Sequence, residues 1–230
     1  MCLISIKPSG TPLSDWFLKA LEAGTESNRH GHGYMLHREG ATAFNFDKGM
    51  WSTRELIDKI KALKLKEGDV LAVHSRFSTH GKTNDKNCHP FVVLPTDKLE
   101  KSWAGMLKTS GTTENPLLMH NGIFSGFGYS KNFSDTFNFV RDFIAQYEVL
   151  KYKQSIEFLK RKIGGNKLAI LHPKHGLLKI GHFIEDEGCF FSNAGYKSWD
   201  YGTRNTGGTG LNLEAEEALQ ERFGGRYCGL

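Results

Sequence analysis

At 230 residues, with 39% hydrophobic and 12% aromatic residues, the chain can bury a sizeable core as one domain, and no Pro/Ser-rich linker divides it. Its net charge of +5 is spread over both halves and is densest at Lys59, Lys61, Lys64 and Lys66, which share a helix with Ile60, Leu63 and Leu65; without interleaved aromatics or a binding motif this excludes a nucleic-acid footprint. No apolar run approaches the ~18 residues of a membrane span, the N-terminus lacks a charged-then-apolar signal pattern, and the cysteines at 2, 88, 189 and 228 form no C-x-x-C pair, so a cytoplasmic protein in a reducing compartment is expected.

The chain opens with Met1 and a strand-like run over residues 2–6, Cys2-Leu3-Ile4-Ser5-Ile6. Removal of an initiator methionine before a small residue would leave Cys2 with its thiol and a free α-amine on one carbon. An α-amine has a pKa near ~7.7–8.0, so nucleophile and general base would be one residue. Met-Cys alone also fits a buried structural cysteine on a first strand. After the turn Pro8-Ser9-Gly10, the spacing of Leu13, Trp16, Phe17, Ala20 and Leu21 predicts a helix stopped by Gly24. Strands over 34–38 and 42–46 flank Gly40 and read as a hairpin. Ser52-Thr53-Arg54-Glu55 is a capping box for a helix through Leu56, Ile57, Ile60 and Leu63 that ends near Gly68. Residues 70–75 read as a buried strand.

From Arg76 to Pro90 the chain is polar and glycine-bearing, a loop composition between core strands where function tends to sit. Strand character returns over 91–94 and again over 117–120, which runs directly into Asn121-Gly122. Ser134-Asp135 begins a helix carrying Phe139, Val140, Phe143, Ile144 and Tyr147, and a second helix carries Ile156, Leu159 and Ile163. Three short strands follow, over 167–171, 177–184 and 189–192, joined by turn-forming residues. The stretch 202–210 is glycine- and threonine-rich and expected to be loose, with a short helix over about 214–223 after it.

Four polar clusters lie at strand ends or helix starts, where a sheet scaffold displays side chains at one rim: Cys2, the stretch 76–81, His120-Asn121-Gly122, and Phe133-Ser134-Asp135. A cysteine thiolate attacks a carbonyl; an Asn amide and the next Gly N–H supply two donors for the developing oxyanion. An Arg and an Asp suit a substrate with both carboxylate and ammonium, an amino acid. Taken singly, Asn121-Gly122 is also the sequence of a tight turn, Arg76 a structural ion-pair partner, and Asp135 a first-turn helix acid. Among the ten histidines, neither His30/His32 nor His74/His80/His89 gives a closed ligand set with zinc spacing. No metal and no cofactor are expected.

The combination resembles the glutaminase domain of class II, N-terminal-nucleophile glutamine amidotransferases. The matching motifs are Cys2 after Met1, His74-x-Arg76-x-x-Thr79-His80-Gly81 with Asn84 and His89-Pro90, His120-Asn121-Gly122, and Ser134-Asp135-Thr136, over roughly residues 2–200. The resemblance implies an α+β fold, a four-layer αββα sandwich of two antiparallel sheets of the Ntn-hydrolase type. It implies that Cys2 forms a γ-glutamyl thioester, that Asn121 and the Gly122 amide form the oxyanion hole, that Arg76 binds the α-carboxylate of L-glutamine and that Asp135 binds its α-ammonium. Thr79 and His80 would belong to a loop closing over glutamine, with His89 bracing it. Leu3, Ser78 and Cys88 depart from the usual residues, and His30 stands where an acidic residue is common.

The expected function is a stand-alone glutaminase subunit that feeds ammonia to a separate synthase or synthetase. Residues 202–210 and the Cys228 tail are the candidate docking segment. The alternatives are a self-sufficient hydrolase of γ-glutamyl amides or peptides, and a catalytically silent binding protein of the same fold. The joint presence of Cys2, Arg76, Asn121 and Asp135 argues against the last.

Overall fold

Alternation along the strands divides their apolar residues between two opposite faces, and this division builds the molecule. The computed structural model describes residues 2–197, without the side chains of Leu99 and Lys101; the stretch 202–210, the helix expected over 214–223 and Cys228 lie outside the described residues. One antiparallel sheet has seven strands in the order β10 (Ile184–Asp186), β11 (Cys189–Phe191), β1 (Leu3–Lys7), β4 (Val70–Ser75), β2 (His32–His37), β3 (Phe44–Gly49) and β6 (Ser110–Thr113). A second antiparallel sheet has the order β5 (Phe91–Val92), β7 (Leu117–Asn121), β8 (Lys167–His172) and β9 (Gly176–Ile180).

In β1 and β4 the residues Leu3, Leu71 and Val73 pack with α1 (Asp15–Ser27) and α2 (Thr53–Ala62) in one core, while Ile4, Ile6, Val70 and Ala72 join Leu117, Met119, Ala169 and Leu171 of the second sheet in another. Leu118, Leu168 and Ile170 turn the other way, against α4 (Asp135–Phe139) and α5 (Lys153–Lys162). The fold is therefore α+β with two antiparallel sheets, and its three cores are compatible with a sandwich of α, β, β and α layers.

Several expected elements are redrawn by packing. α1 runs through Gly24 to Ser27, because a Cβ at position 24 would collide with Leu3 Cδ2, so the glycine lets the helix lie against β1 rather than stopping it. The capping box at Ser52 forms with both reciprocal bonds, but α2 ends at Ala62, where the chain turns through a left-handed Lys64 (φ 48°) well before Gly68. The long helix expected after Ser134 is α only over α4 and continues as a π-helical segment, Val140–Ala145. Gly181 (φ 91°) divides the strand expected over 177–184 into β9 and β10, which belong to different sheets. α3 (Thr96–Lys101) and β6 carry no apolar periodicity and were not expected. Among the described residues no helix is long and apolar enough to cross a membrane.

The register of the seven-stranded sheet decides where chemistry is displayed. Leu3 pairs with Ser75 and His32 with the same Ser75, so the N-terminal ends of β1 and β2 and the C-terminal end of β4 share one rim. Cys2, Gly31 and Arg76 each lie one residue beyond a paired position at this rim.

Candidate active site

Cys2 is held by its neighbours at the rim through both backbone and sulfur. Phe77 N–H donates to Cys2 Sγ at 3.3 Å, and the thiol donates to Phe77 C=O at 3.4 Å. Asn193 Nδ2 donates to the Cys2 carbonyl at 2.7 Å. Although the residue keeps some exposure, burial pushes its thiol above the usual range, opposed by the Phe77 amide and the Arg76 charge. Cys88 and Cys189 are buried, with thiols pushed up to about 11 by that burial.

Cys2 shares a cleft with Arg76, Phe77, Thr79, His80, His89, His120, Gly122, Ser134, Asp135 and Thr136. Seven of the residues expected at the site, Cys2, Arg76, Thr79, His80, His89, Gly122 and Asp135, are thus brought together from β1, β4, β7, α4 and their adjoining loops. The eighth, Asn121, does not line the cleft: its side chain is buried, with Nδ2 placed 2.8 Å from Ser192 Oγ. The cleft encloses about 20 Å³, room for about one water. Two larger, mostly apolar cavities of about 290 and 270 Å³ lie elsewhere and contain no cysteine.

Arg76 is 3% exposed and forms no ion pair among the described residues. Its two terminal nitrogens donate to Lys82 C=O and His80 C=O at 3.1 and 2.9 Å, which uses two of its five N–H donors and ties down the following loop. The loop is fixed elsewhere too. Ser78 N–H donates to His30 Nδ1 at 2.9 Å, the His30 ring lies 5.1 Å from that of Phe77, and a Cβ at the left-handed Gly81 (φ 73°) would meet the Phe133–Ser134 backbone at 2.5–2.7 Å. His30 therefore has a defined task, as acceptor for this loop.

Asp135 is 5% exposed and also lacks a cationic partner among the described residues. Its Oδ2 accepts Phe124 N–H at 2.8 Å and its Oδ1 accepts Thr136 N–H at 2.8 Å. Ser134 caps α4 by accepting Phe137 N–H, so the capping and acidic roles fall on successive residues.

Three buried histidines, of which His89 and His120 line the cleft and His74 packs against them, have tautomers that follow from their partners. Asn166 Nδ2 is committed to Ile163 C=O, so Asn166 Oδ1 accepts at 2.9 Å from His120 Nε2–H, and His120 Nδ1 accepts the Thr136 hydroxyl at 2.8 Å. His74 donates from Nε2 to His120 C=O at 3.0 Å, and His89 Nδ1 accepts His120 N–H at 3.4 Å. Burial lowers His74 to about 3, His120 to about 4, and His89 well below the ordinary range, so all three are neutral. His89 thus braces His120, and its ring centroid lies 3.9 Å from that of His74, in the same cleft that Thr79 and His80 line. A Cβ at Gly122 (φ 143°) would collide with Asn166 Oδ1, so glycine is needed for the turn to pass. Among the described residues no group of three His, Cys, Asp or Glu side chains could hold a metal ion.

Compared with known proteins, the chain matches no family model and no curated protein. Sequence reasoning missed Asn166, Ser192 and Asn193, none of which stands in a motif. Ser192 and Asn193 become legible only once β11 is known to run beside β1.

Proposed function

We propose that this protein is a glutaminase of the N-terminal-nucleophile type, the catalytic half of a class II glutamine amidotransferase with an Ntn-hydrolase fold. The observation that carries this reading is charge without counter-charge. Arg76 and Asp135 are both buried, line the cleft that holds Cys2, and pair neither with each other nor with any other described residue. Buried opposite charges kept apart suit a zwitterion placed between them, with the carboxylate on Arg76 and the ammonium on Asp135. An α-amino acid so placed offers its side-chain amide to Cys2.

Once Met1 is removed, the Cys2 α-amine takes the thiol proton as sulfur attacks the amide carbon, and the carbonyl electron pair moves onto oxygen. Collapse of that intermediate breaks the C–N bond, the amine returns the proton to the leaving nitrogen, and ammonia departs to leave a γ-glutamyl thioester. Water then attacks the thioester, the C–S bond breaks, and glutamate leaves as the thiol is re-protonated. Gly122 N–H and the Asn121 amide are the donors assigned to the oxyanion. A cleft of one-water volume requires the loop over residues 77–81 to move before glutamine enters, and Thr79 and His80 close over it afterwards. The ammonia so formed serves a separate synthase or synthetase. Release of glutamate from glutamine by the chain lacking Met1, absent in Cys2→Ala, is the test; a Cys2→Ala variant as active as the wild type overturns the reading.

A further inference from the structure

Ser192 stands at a junction that the proposed chemistry has not yet used. It follows β11, its N–H donates to Ile4 C=O at 2.9 Å, and its hydroxyl oxygen accepts Ile4 N–H at 2.8 Å, extending the β1–β11 ladder by a side chain. The same oxygen is 2.8 Å from Asn121 Nδ2. Ser192 is 2% exposed and Asn121 2% exposed, so every donor and acceptor here needs a partner from the protein.

The count does not close with Asn121 Nδ2 facing Ser192. Two N–H groups then converge on one hydroxyl oxygen, the Ser192 proton has no acceptor among the described residues, and Asn121 Oδ1 is buried with no hydrogen bond. The two ends of a carboxamide are isosteric, so hydrogen-bond accounting decides which way it points. Exchanging them lets the Ser192 hydroxyl donate to Asn121 Oδ1 while still accepting Ile4 N–H. The end left without a partner is then the NH2 group, the only polarity in which Asn121 can donate to the oxygen of an attacked carbonyl.

We infer that Ser192 is a positioning residue that orients the Asn121 carboxamide, so that its NH2 rather than its C=O is presented to the reacting oxygen. The catalytic role of Asn121 itself rests on the glutaminase reading above; the orientation does not. Because Ser192 Oγ also receives Ile4 N–H, two residues along the chain from the nucleophile, one side chain keys the oxyanion donor to the strand that carries Cys2.

The test uses the full chain lacking Met1, with labelled side-chain amides, and has two arms. In the first, nuclear Overhauser contacts are measured from the Asn121 side-chain NH2. The inference expects no strong contact to Ile4 N–H or the Ser192 β-protons, and a strong contact to either overturns it. This arm needs no activity, so a protein inert toward glutamine defeats the glutaminase reading while leaving the orientation to be decided here. In the second, Ser192→Ala is expected to lower kcat by roughly tenfold or more with KM within about twofold, and Ser192→Thr, which keeps the hydroxyl, to recover most of the loss. Equal kcat in wild type and Ser192→Ala, or a Thr variant no better than Ala, overturns the positioning role. Should Ser192→Ala fail to fold, the first arm and the Thr variant decide.

Discussion

The Cys2 sulfur lies against both polar groups of a single peptide, accepting from Phe77 N–H at 3.3 Å and donating to Phe77 C=O at 3.4 Å. The amide favours the thiolate and the carbonyl favours the thiol, so this peptide holds the sulfur in place in either state. Burial dominates and raises the thiol above its ordinary 9.0. Alkylation of Cys2 by iodoacetamide should therefore still be accelerating above pH 9, and Arg76→Ala, which removes a nearby positive charge, should move the profile further up. A mass-resolved rate profile checks this, and a plateau below pH 8 contradicts it.

Substrate recognition should separate from chemistry. Asp135→Asn keeps an oxygen for Phe124 N–H but removes the charge, and it should raise KM for glutamine by roughly 10- to 100-fold, as expected for a charge-assisted hydrogen bond of ~1.5–3 kcal/mol, with little change in kcat. Arg76→Ala should affect both constants, because Arg76 also ties His80 and Lys82 in the loop over the cleft. Steady-state kinetics of the two variants make the comparison; an unchanged KM in Asp135→Asn removes the ammonium assignment.

Gly122→Ala tests the turn at the edge of the cleft. An added methyl would collide with the Asn166 carboxamide and sit at an unfavourable φ of 143°, so a loss of ~2–4 kcal/mol of stability is expected, as for strain combined with a broken buried hydrogen bond. Denaturant unfolding measures it. Asn166→Gly, which clears the space, should recover part of the loss in the double variant.

Much of this arrangement is legible in the sequence, and the parts that are not have physical causes. Cys2, Arg76, Gly122 and Asp135 stand at strand ends or a helix start, positions that local pattern reveals. Their convergence depends on register, which pairs Leu3 with Ser75 over a separation that no local pattern spans. Gly24 reads as a helix stop because conformational freedom is its commonest use, whereas here the missing Cβ admits Leu3. Thr96–Lys101 is too short and too polar to show a helical period. Asn121 reads as a cleft residue from its neighbour Gly122, and alternation along β7 turns it with Leu117 and Met119 to the face that Ile4 and Ile6 share, but there its carboxamide is buried against Ser192, whose place beside β1 no local pattern gives.

The buried histidines couple the fold to pH. His32, His74 and His120 are held at about 4, 3 and 4 by burial, against ~6.5 in an unfolded chain. Because their folded values are depressed, the stability they contribute is fully present above pH ~6.5 and is lost as pH falls toward 4. The slope is about 1.4 kcal/mol per pH unit for each such group within that window. Thermal unfolding should therefore show a Tm that falls steeply between pH 6.5 and 4, with a smaller slope in His32→Gln. A flat Tm across that interval contradicts neutral burial of these rings.

The identity of the nucleophile is decided by mass spectrometry of the purified chain after incubation with a glutamine-derived diazoketone. The predicted product is a chain beginning at Cys2 and carrying one covalent addition, mapped to Cys2 and suppressed by excess glutamine. A retained Met1 with no addition, or an addition mapped to Cys88 or Cys189, contradicts it.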